Sequence, residues 1–419
     1  MKDVQWAFIG LATASLSHLL LRIVLGRELG PSGLGIYTLV YTIYLLGMQF
    51  SAFGVGAALT KYVAEFSDDL IKAKEYISSG LLISLIIGSL MGIFLFMLSE
   101  IISINIFNIP EMYEPLKITA IAFPFIAIYK TTVGVLNGFR NMKAFALLNI
   151  SINVLMLVTS IVLVLYLNMN IAGAVFGFVL PTIAVGLLSV LFIKSHFRYP
   201  TWSFFKTDIL RDVLRFGFYV VLGNSIGYIY IHIDSLMIGY YLNETELGFY
   251  TVALVFVQGI TLISSSIQSV TNPIIAKNYA KKEYESILKL LKSVPPKTLL
   301  ISFIITLLLI LFGKTLIVII FEVVFLPAYS PLIILLVGYT IYSAFNSIGT
   351  FYSSIGYVQL SYKVALISAA INIMLNILFI PKYGIVGAAL ASSTSLILLT
   401  VMHFILIGYF VKRVWALKI

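Results

Sequence analysis

The 419-residue chain contains no cysteine and little charge: Asp, Glu, Lys and Arg together make up 11% of it, against about a quarter in a water-soluble domain. The first absence excludes disulfides, iron–sulfur clusters and thiolate-held metals. The second excludes a soluble globular fold, because 60% of the residues are hydrophobic and the mean hydropathy is +1.05. Also missing are a Walker A loop, a Gly-rich dinucleotide turn, a His-Glu-x-x-His pair and a nucleophile elbow, so ATP hydrolysis and the common hydrolytic mechanisms lack their residues. With short loops and four scattered histidines, the chain reads as a protein that is not an enzyme, with no metal site and no cofactor.

What fills the chain is a succession of apolar runs near the roughly 20 residues that a helix needs to cross a bilayer. Lipid offers no partners to backbone N–H and C=O groups, so continuous apolar runs predict helices, whereas barrel strands would alternate. Twelve runs are expected, the first near Val4–Leu25 and the last near 384–410. The start, Met1-Lys2-Asp3 and the run behind it, lacks the cleavage site of a signal peptide and reads as a retained first span. The eleventh run, 364–381, is short, and Thr315–Leu326 reads as a re-entrant or interfacial piece, so eleven and thirteen spans stay open as alternatives.

Loop charge orients the map, since Lys and Arg of short loops stay on the cytoplasmic side. With the N-terminus inside, most of the 27 basic residues lie there, including Lys61, Lys72, Lys74, Arg140, Lys143, Arg198, Arg211, Arg215, Lys277, Lys281, Lys282, Arg413 and Lys418. Arg27, Lys117, Lys314 and Lys382 face out, among acids such as Glu28, Glu111, Glu114 and Glu322. The formal charge of +10 is therefore a topological signal and calls for no nucleic acid. Both termini are expected in the cytoplasm. Lys61–Glu75 and the stripe Tyr284, Ile287, Leu288, Leu291 read as amphipathic helices lying on that surface.

The second half repeats the first. Leu34-Gly35-Ile36-Tyr37-Thr38 returns as Leu247-Gly248-Phe249-Tyr250-Thr251, Ile152-Asn153-Val154-Leu155 as Ile371-Asn372-Ile373-Met374, and Ile171-Ala172-Gly173-Ala174-Val175 as Ile385-Val386-Gly387-Ala388-Ala389. Six spans per half is an even number, so both copies enter the membrane in the same sense. The expectation is an all-α integral membrane protein of about twelve transmembrane helices, in two parallel six-helix repeats around a central cavity. Residues 1–205 form one six-helix bundle and 206–419 the other. Duplicated halves that rock about a shared cavity are transporter architecture.

The run from Arg22 through Gly30-Pro31-Ser32-Gly33-Leu34-Gly35-Ile36-Tyr37 resembles the first loop of the polysaccharide-biosynthesis flippases in the multidrug/oligosaccharidyl-lipid/polysaccharide exporter superfamily. Ile233-Asp234-Ser235-Leu236-Met237-Ile238-Gly239 with Leu247–Tyr250 is similar to the start of that family's second half, and Gly384–Ala389 to its penultimate loop. The resemblance implies a multi-pass cell-membrane protein that flips a lipid-linked oligosaccharide from the cytoplasmic to the outer leaflet by alternating access. Its implied partners are the lipid-linked sugar, membrane lipids and enzymes of polysaccharide assembly.

Three ionisable side chains fall well inside apolar runs: Arg22, Lys130 and Asp234. Each costs roughly 2.5–3.5 kcal/mol on insertion scales unless paired or hydrated, which makes an intramembrane charge a site hypothesis by default. His18 shares the stripe of Arg22 at helical spacing, and Asn224 and Tyr228 precede Asp234 on its run. Arg22 and Lys130 are the candidates for the substrate phosphate. His18, Asn224 and Tyr228 are polar neighbours, and Gln49, Gln268 and Asn346 are weaker partners for sugar. Asp234 is the candidate for exchanging a proton or a sodium ion, and its repeat position beside that of Arg22 raises the expectation of a charge pair. Snorkelling of the cations and a structural role for Asp234 are the competing readings. A cation-coupled multidrug exporter of the same superfamily would favour acids in its cavity, and a non-transporting scaffold for polysaccharide assembly would leave these charges dispensable.

Overall fold

The computed structural model describes residues 2–194 and 206–412, and within them the backbone is helix joined by tight turns. The expected boundary between halves at 205 lies outside the described residues, as do Arg198, Arg413 and Lys418. The helices are α1 (Lys2–Ala52), α2 (Val55–Glu65), α3 (Leu70–Glu100), α4 (Tyr113–Ala120), α5 (Phe123–Gly138), α6 (Met142–Ile161), α7 (Asn170–Lys194), α8 (Thr207–Tyr241), α9 (Glu244–Ala280), α10 (Tyr284–Phe321), α11 (Tyr329–Asn346), α12 (Phe351–Ser354) and α13 (Val358–Phe410).

Among the described residues nine helical segments are long and apolar enough to span a bilayer, and the pair Pro110–Ala120 and Phe123–Gly138, bent by 48°, makes a tenth. Two of the nine are double. α1 has 51 residues and α13 has 53, and at 1.5 Å per residue each would run more than twice the roughly 30 Å hydrocarbon thickness. α1 breaks at Gly30 (φ 66°), a left-handed conformation open to glycine. Pro31 follows as the first residue of the next helix, where its missing N–H costs nothing. α13 breaks at Gly384 (φ 60°). Each is two crossings, which brings the crossing segments of the described residues to twelve.

The duplication is written in the turns as well as the sequence. Left-handed residues recur in register: Asn108 with Glu322 and Asn170 with Gly384, each 214 apart, and Arg140 with Gly356. Gly30, the break in α1, corresponds at an offset of 213 to Asn243, which caps α9 by accepting from the Glu246 N–H at 2.9 Å.

Three expectations are corrected. Thr315–Leu326 forms no separate piece: its first part completes α10 to Phe321, and the rest is a 3₁₀ turn, Val323–Ala328, leading into α11. Tyr284, Ile287, Leu288 and Leu291 form no separate surface helix. They are the opening turns of α10, which runs on through Pro295 and Pro296, and Ile287 is fully buried with the other three packed around its cluster. Lys61–Glu75 is not one amphipathic helix either. α2 ends at Glu65, and Asp69 then caps α3 by accepting from the Lys72 N–H. In the latter two places amphipathic periodicity marks a helix end and says nothing of where the bilayer stops.

Contacts divide the chain into two units, Met1–Tyr228 and Ile229–Ile419. The first turns of α8 belong to the first unit because its side chains are tied there. Lys206, just before α8, pairs with buried Glu75 at 2.7 Å, Tyr76 donates to Asp212 at 3.2 Å, and Gly217 packs directly on the Phe53 carbonyl. Small residues allow such close backbone approach. The tightest instance is Gly134 of α5 against Gly56 of α2, where a methyl group at Gly134 would collide with the Gly56 backbone; Thr60 Oγ1 donates to the Gly134 carbonyl at 3.0 Å beside it.

Candidate functional site

In the first unit, Tyr37, Tyr41 and Tyr44 follow one another at helical spacing along the second half of α1 and so share a stripe. Their rings form a ladder, with centroids 5.7 Å apart for Tyr37 and Tyr41 and 5.8 Å for Tyr41 and Tyr44. Phe178 of α7 closes on Tyr44 at 4.8 Å, and Tyr44 Oη lies 3.3 Å from Thr182 Oγ1. Opposite stand α5 and α6, where Tyr129 donates to Asn149 Oδ1 at 3.0 Å and Asn153 donates to the Asn149 carbonyl at 2.7 Å. These walls enclose a chamber of about 170 Å³.

A second chamber of about 270 Å³ adjoins it, lined by Gln49, Asn137, Asn224 and Tyr228 together with the glycine contact of α2 and α5. Lys130 and Met48 line both chambers. Lys130 is half-buried and has no ion-pair or hydrogen-bond partner among the described residues. No carboxylate lines either chamber. A buried cation without a counter-ion is costly, so this arrangement favours an anion brought in from outside.

Of the residues singled out from sequence, Lys130, Asn224 and Tyr228 come together around the larger chamber, with Gln49 beside them. His18 and Arg22 stand behind the wall of the smaller one. The His18 ring is 5.9 Å from that of Tyr41. Arg22 lies beside Tyr37 and Tyr41, with Nη1 buried and lacking an acceptor. Tyr41, Tyr44, Asn149 and Asn153 were not singled out; the tyrosine stripe of α1 and the i, i+4 asparagine pair of α6 are the signals that point to them.

Asp234 belongs to the second unit and to a different environment. It is 8% exposed and accepts from Tyr250 Oη at 2.7 Å, from Asn376 Nδ2 at 2.7 Å and from Ser392 Oγ. Asn376 also donates to Asn372 Oδ1 at 3.2 Å, Asn372 donates to Ser392 Oγ at 3.3 Å, and Asn376 Oδ1 is buried with no donor. The cluster is thus built of carboxylate, amide and hydroxyl oxygens. Groups of three or more His, Cys, Asp or Glu side chains able to hold a metal are absent among the described residues. Asn346 is bound into packing, donating to Ser264 at 2.7 Å and to Ser265 at 3.2 Å, the polar glue expected between helices in lipid.

Comparison with known proteins agrees with this architecture. The profile of the polysaccharide biosynthesis protein family matches residues 1–279, and that of the MatE family matches 220–378. A probable low-salt glycan biosynthesis flippase of Haloferax volcanii is 27% identical over 390 residues, covering 92% of this chain and 79% of that protein. Among solved structures, a lipid II flippase in an inward closed conformation superposes with a TM-score of 0.80 at 18% identity, covering 97% of this chain and 87% of that one. An inward-facing multidrug resistance transporter of the MOP superfamily gives 0.68 at 17% identity, covering 98% of this chain and 99% of that one. The twelve-segment duplicated fold, with a family profile over two thirds of its length, places the chain in the polysaccharide biosynthesis protein family.

Proposed function

We propose that this protein is a transporter of the cell membrane that flips a lipid-linked sugar precursor from the cytoplasmic to the outer leaflet by alternating access, with both termini in the cytoplasm. The observation that carries the reading is Lys130, an unpaired cation at the junction of two acid-free chambers inside a membrane-spanning unit. A phosphate or pyrophosphate drawn off the headgroup region loses hydration, and a fixed cation in a chamber of low dielectric offsets that cost. Arg22, with a free buried Nη1 behind the tyrosine wall, adds positive potential. Asn224, Tyr228, Gln49 and Asn137 supply hydroxyl and amide partners for sugar. The same acid-free lining disfavours the amphipathic cations of a multidrug exporter. Moving a lipid between leaflets makes and breaks no covalent bond, so no catalytic residue is assigned.

Asp234 is proposed as the coupling element. Its carboxylate and the amide and hydroxyl oxygens around it, with Asn376 Oδ1 lacking a donor, are hard-oxygen groups suited to sodium. A proton on the carboxyl is the competing occupant.

The test is reconstitution in proteoliposomes with a fluorescent polyprenyl-phosphate sugar. The intact chain is expected to move it between leaflets, and Lys130→Ala to slow it about tenfold, the loss of one strong charge-assisted contact. No movement by the intact chain under any gradient would sink the flippase reading. Asp234→Asn is expected to abolish the response to an imposed sodium or proton gradient, and indifference of the intact chain to both would remove the coupling role alone.

A further inference from the structure

We infer that the smaller chamber of the first unit is the seat of the sugar ring next to the phosphate, and that it selects rings bearing hydroxyl or acetamido groups over rings bearing a free amine. This rests on the flippase reading and assigns substrate selection to a place within that site.

The first argument is size. At about 170 Å³ the chamber is well below the roughly 300–1,000 Å³ that hold drug-sized ligands. One ring fills that space. The larger chamber on the other side of Lys130 is left for the rest of the headgroup or for the lipid linkage. Position is the second argument. Lys130 borders both chambers, so a phosphate held there has its attached sugar beside it and not several bonds away.

Lining chemistry is the third. Tyr41, Tyr44 and Tyr129 give flat apolar faces with polar edges, which suit a ring whose C–H and O–H groups lie on different faces. Asn149, held by Tyr129 and its own helix, and Asn153, held by its own helix, present amides of set orientation. Such pre-set polar groups in an otherwise apolar pocket give orientation and specificity. Charge is the fourth. Lys130 lines the chamber and Arg22 stands behind its Tyr41 wall, with no carboxylate in the lining. An ammonium on the sugar would meet like charge and find no counter-ion, whereas an acetamido group is neutral and can bond to amide and phenol.

The experiment measures initial flipping rates, in the same proteoliposomes, for polyprenyl-phosphate lipids carrying N-acetylglucosamine or glucosamine. The intact chain is expected to move the acetamido lipid about tenfold faster. Asn153→Leu, which removes an amide from the wall, and Met156→Trp, which fills the chamber from α6, are each expected to shrink that preference at least about threefold. A preference absent or reversed in the intact chain, or retained in full by both variants, overturns the assignment while the flippase reading stands. If neither lipid moves, the flippase reading itself fails and the subsite falls with it.

Discussion

The two units carry the same order of crossings and opposite chemistry at matching positions. Tyr37 and Tyr250 are 213 apart, and both are buried on the helix that follows the first crossing of their half. Tyr250 donates to Asp234, while Tyr37 stands beside Arg22 with its hydroxyl unpartnered. One position apart in the repeat, Asp234 corresponds to Leu21 and Arg22 to Ser235. Ser392, a donor to Asp234, corresponds at 214 to Phe178, which closes the aromatic chamber. A handful of exchanged side chains on a duplicated frame thus separates an open cationic chamber from a filled carboxylate cluster. Beside the first unit's chamber Lys130 and the Arg22 Nη1 have no partner, whereas the Asp234 carboxylate is met by three donors, with Asn376 Oδ1 the one atom of its cluster left without a donor.

The sharpest way to break this contrast is to give the second unit the first unit's residue. Asp234→Leu strands the hydroxyls of Tyr250 and Ser392 and the Asn376 amide in a buried place, and each buried donor left unsatisfied costs about 1–3 kcal/mol. A large fall in the midpoint of thermal unfolding in detergent is expected. Lys130→Met, made in parallel, removes a cation with no partner to strand and is expected to leave the midpoint unchanged or raise it, while slowing flipping about tenfold as Lys130→Ala does. Equal losses of stability in both variants would mean that Lys130 is as structurally committed as Asp234, and the contrast would be gone.

Much of this was readable from the chain alone, for reasons specific to membranes. Lipid forbids unpaired backbone, so apolar length alone gives the crossings, and the breaks in α1 and α13 fall at Gly30 and Gly384, where the runs were already divided. Arg22, Lys130 and Asp234 stood out because intramembrane charge is rare. Their surroundings did not. Asn376 and Ser392 reach Asp234 from 142 and 158 residues away, and no local pattern signals such a meeting. Tyr41, Tyr44, Asn149 and Asn153 were hidden differently, since tyrosine and asparagine in an apolar run usually mean packing between helices. Only the void they enclose marks them as a wall.

The smallest expected effect is also the most selective comparison, because it touches one hydroxyl in each unit at the same point of the repeat. Tyr250→Phe deletes the donor to Asp234 at 2.7 Å, and a hydrogen bond to a carboxylate contributes about 1.5–3 kcal/mol. Tyr37→Phe deletes a hydroxyl that is buried with no partner, so nothing is lost but its own desolvation cost, and stability is expected to hold or rise by under about 1 kcal/mol. Thermal unfolding of the two variants side by side, in one detergent and with no substrate, reads the difference directly. If Tyr37→Phe destabilises as much as Tyr250→Phe, the Tyr37 hydroxyl is held by a partner after all. The exchange of Asp234 for Leu21 at the matching place would then have left Tyr37 no poorer in partners than Tyr250, and the contrast between the two positions would be gone.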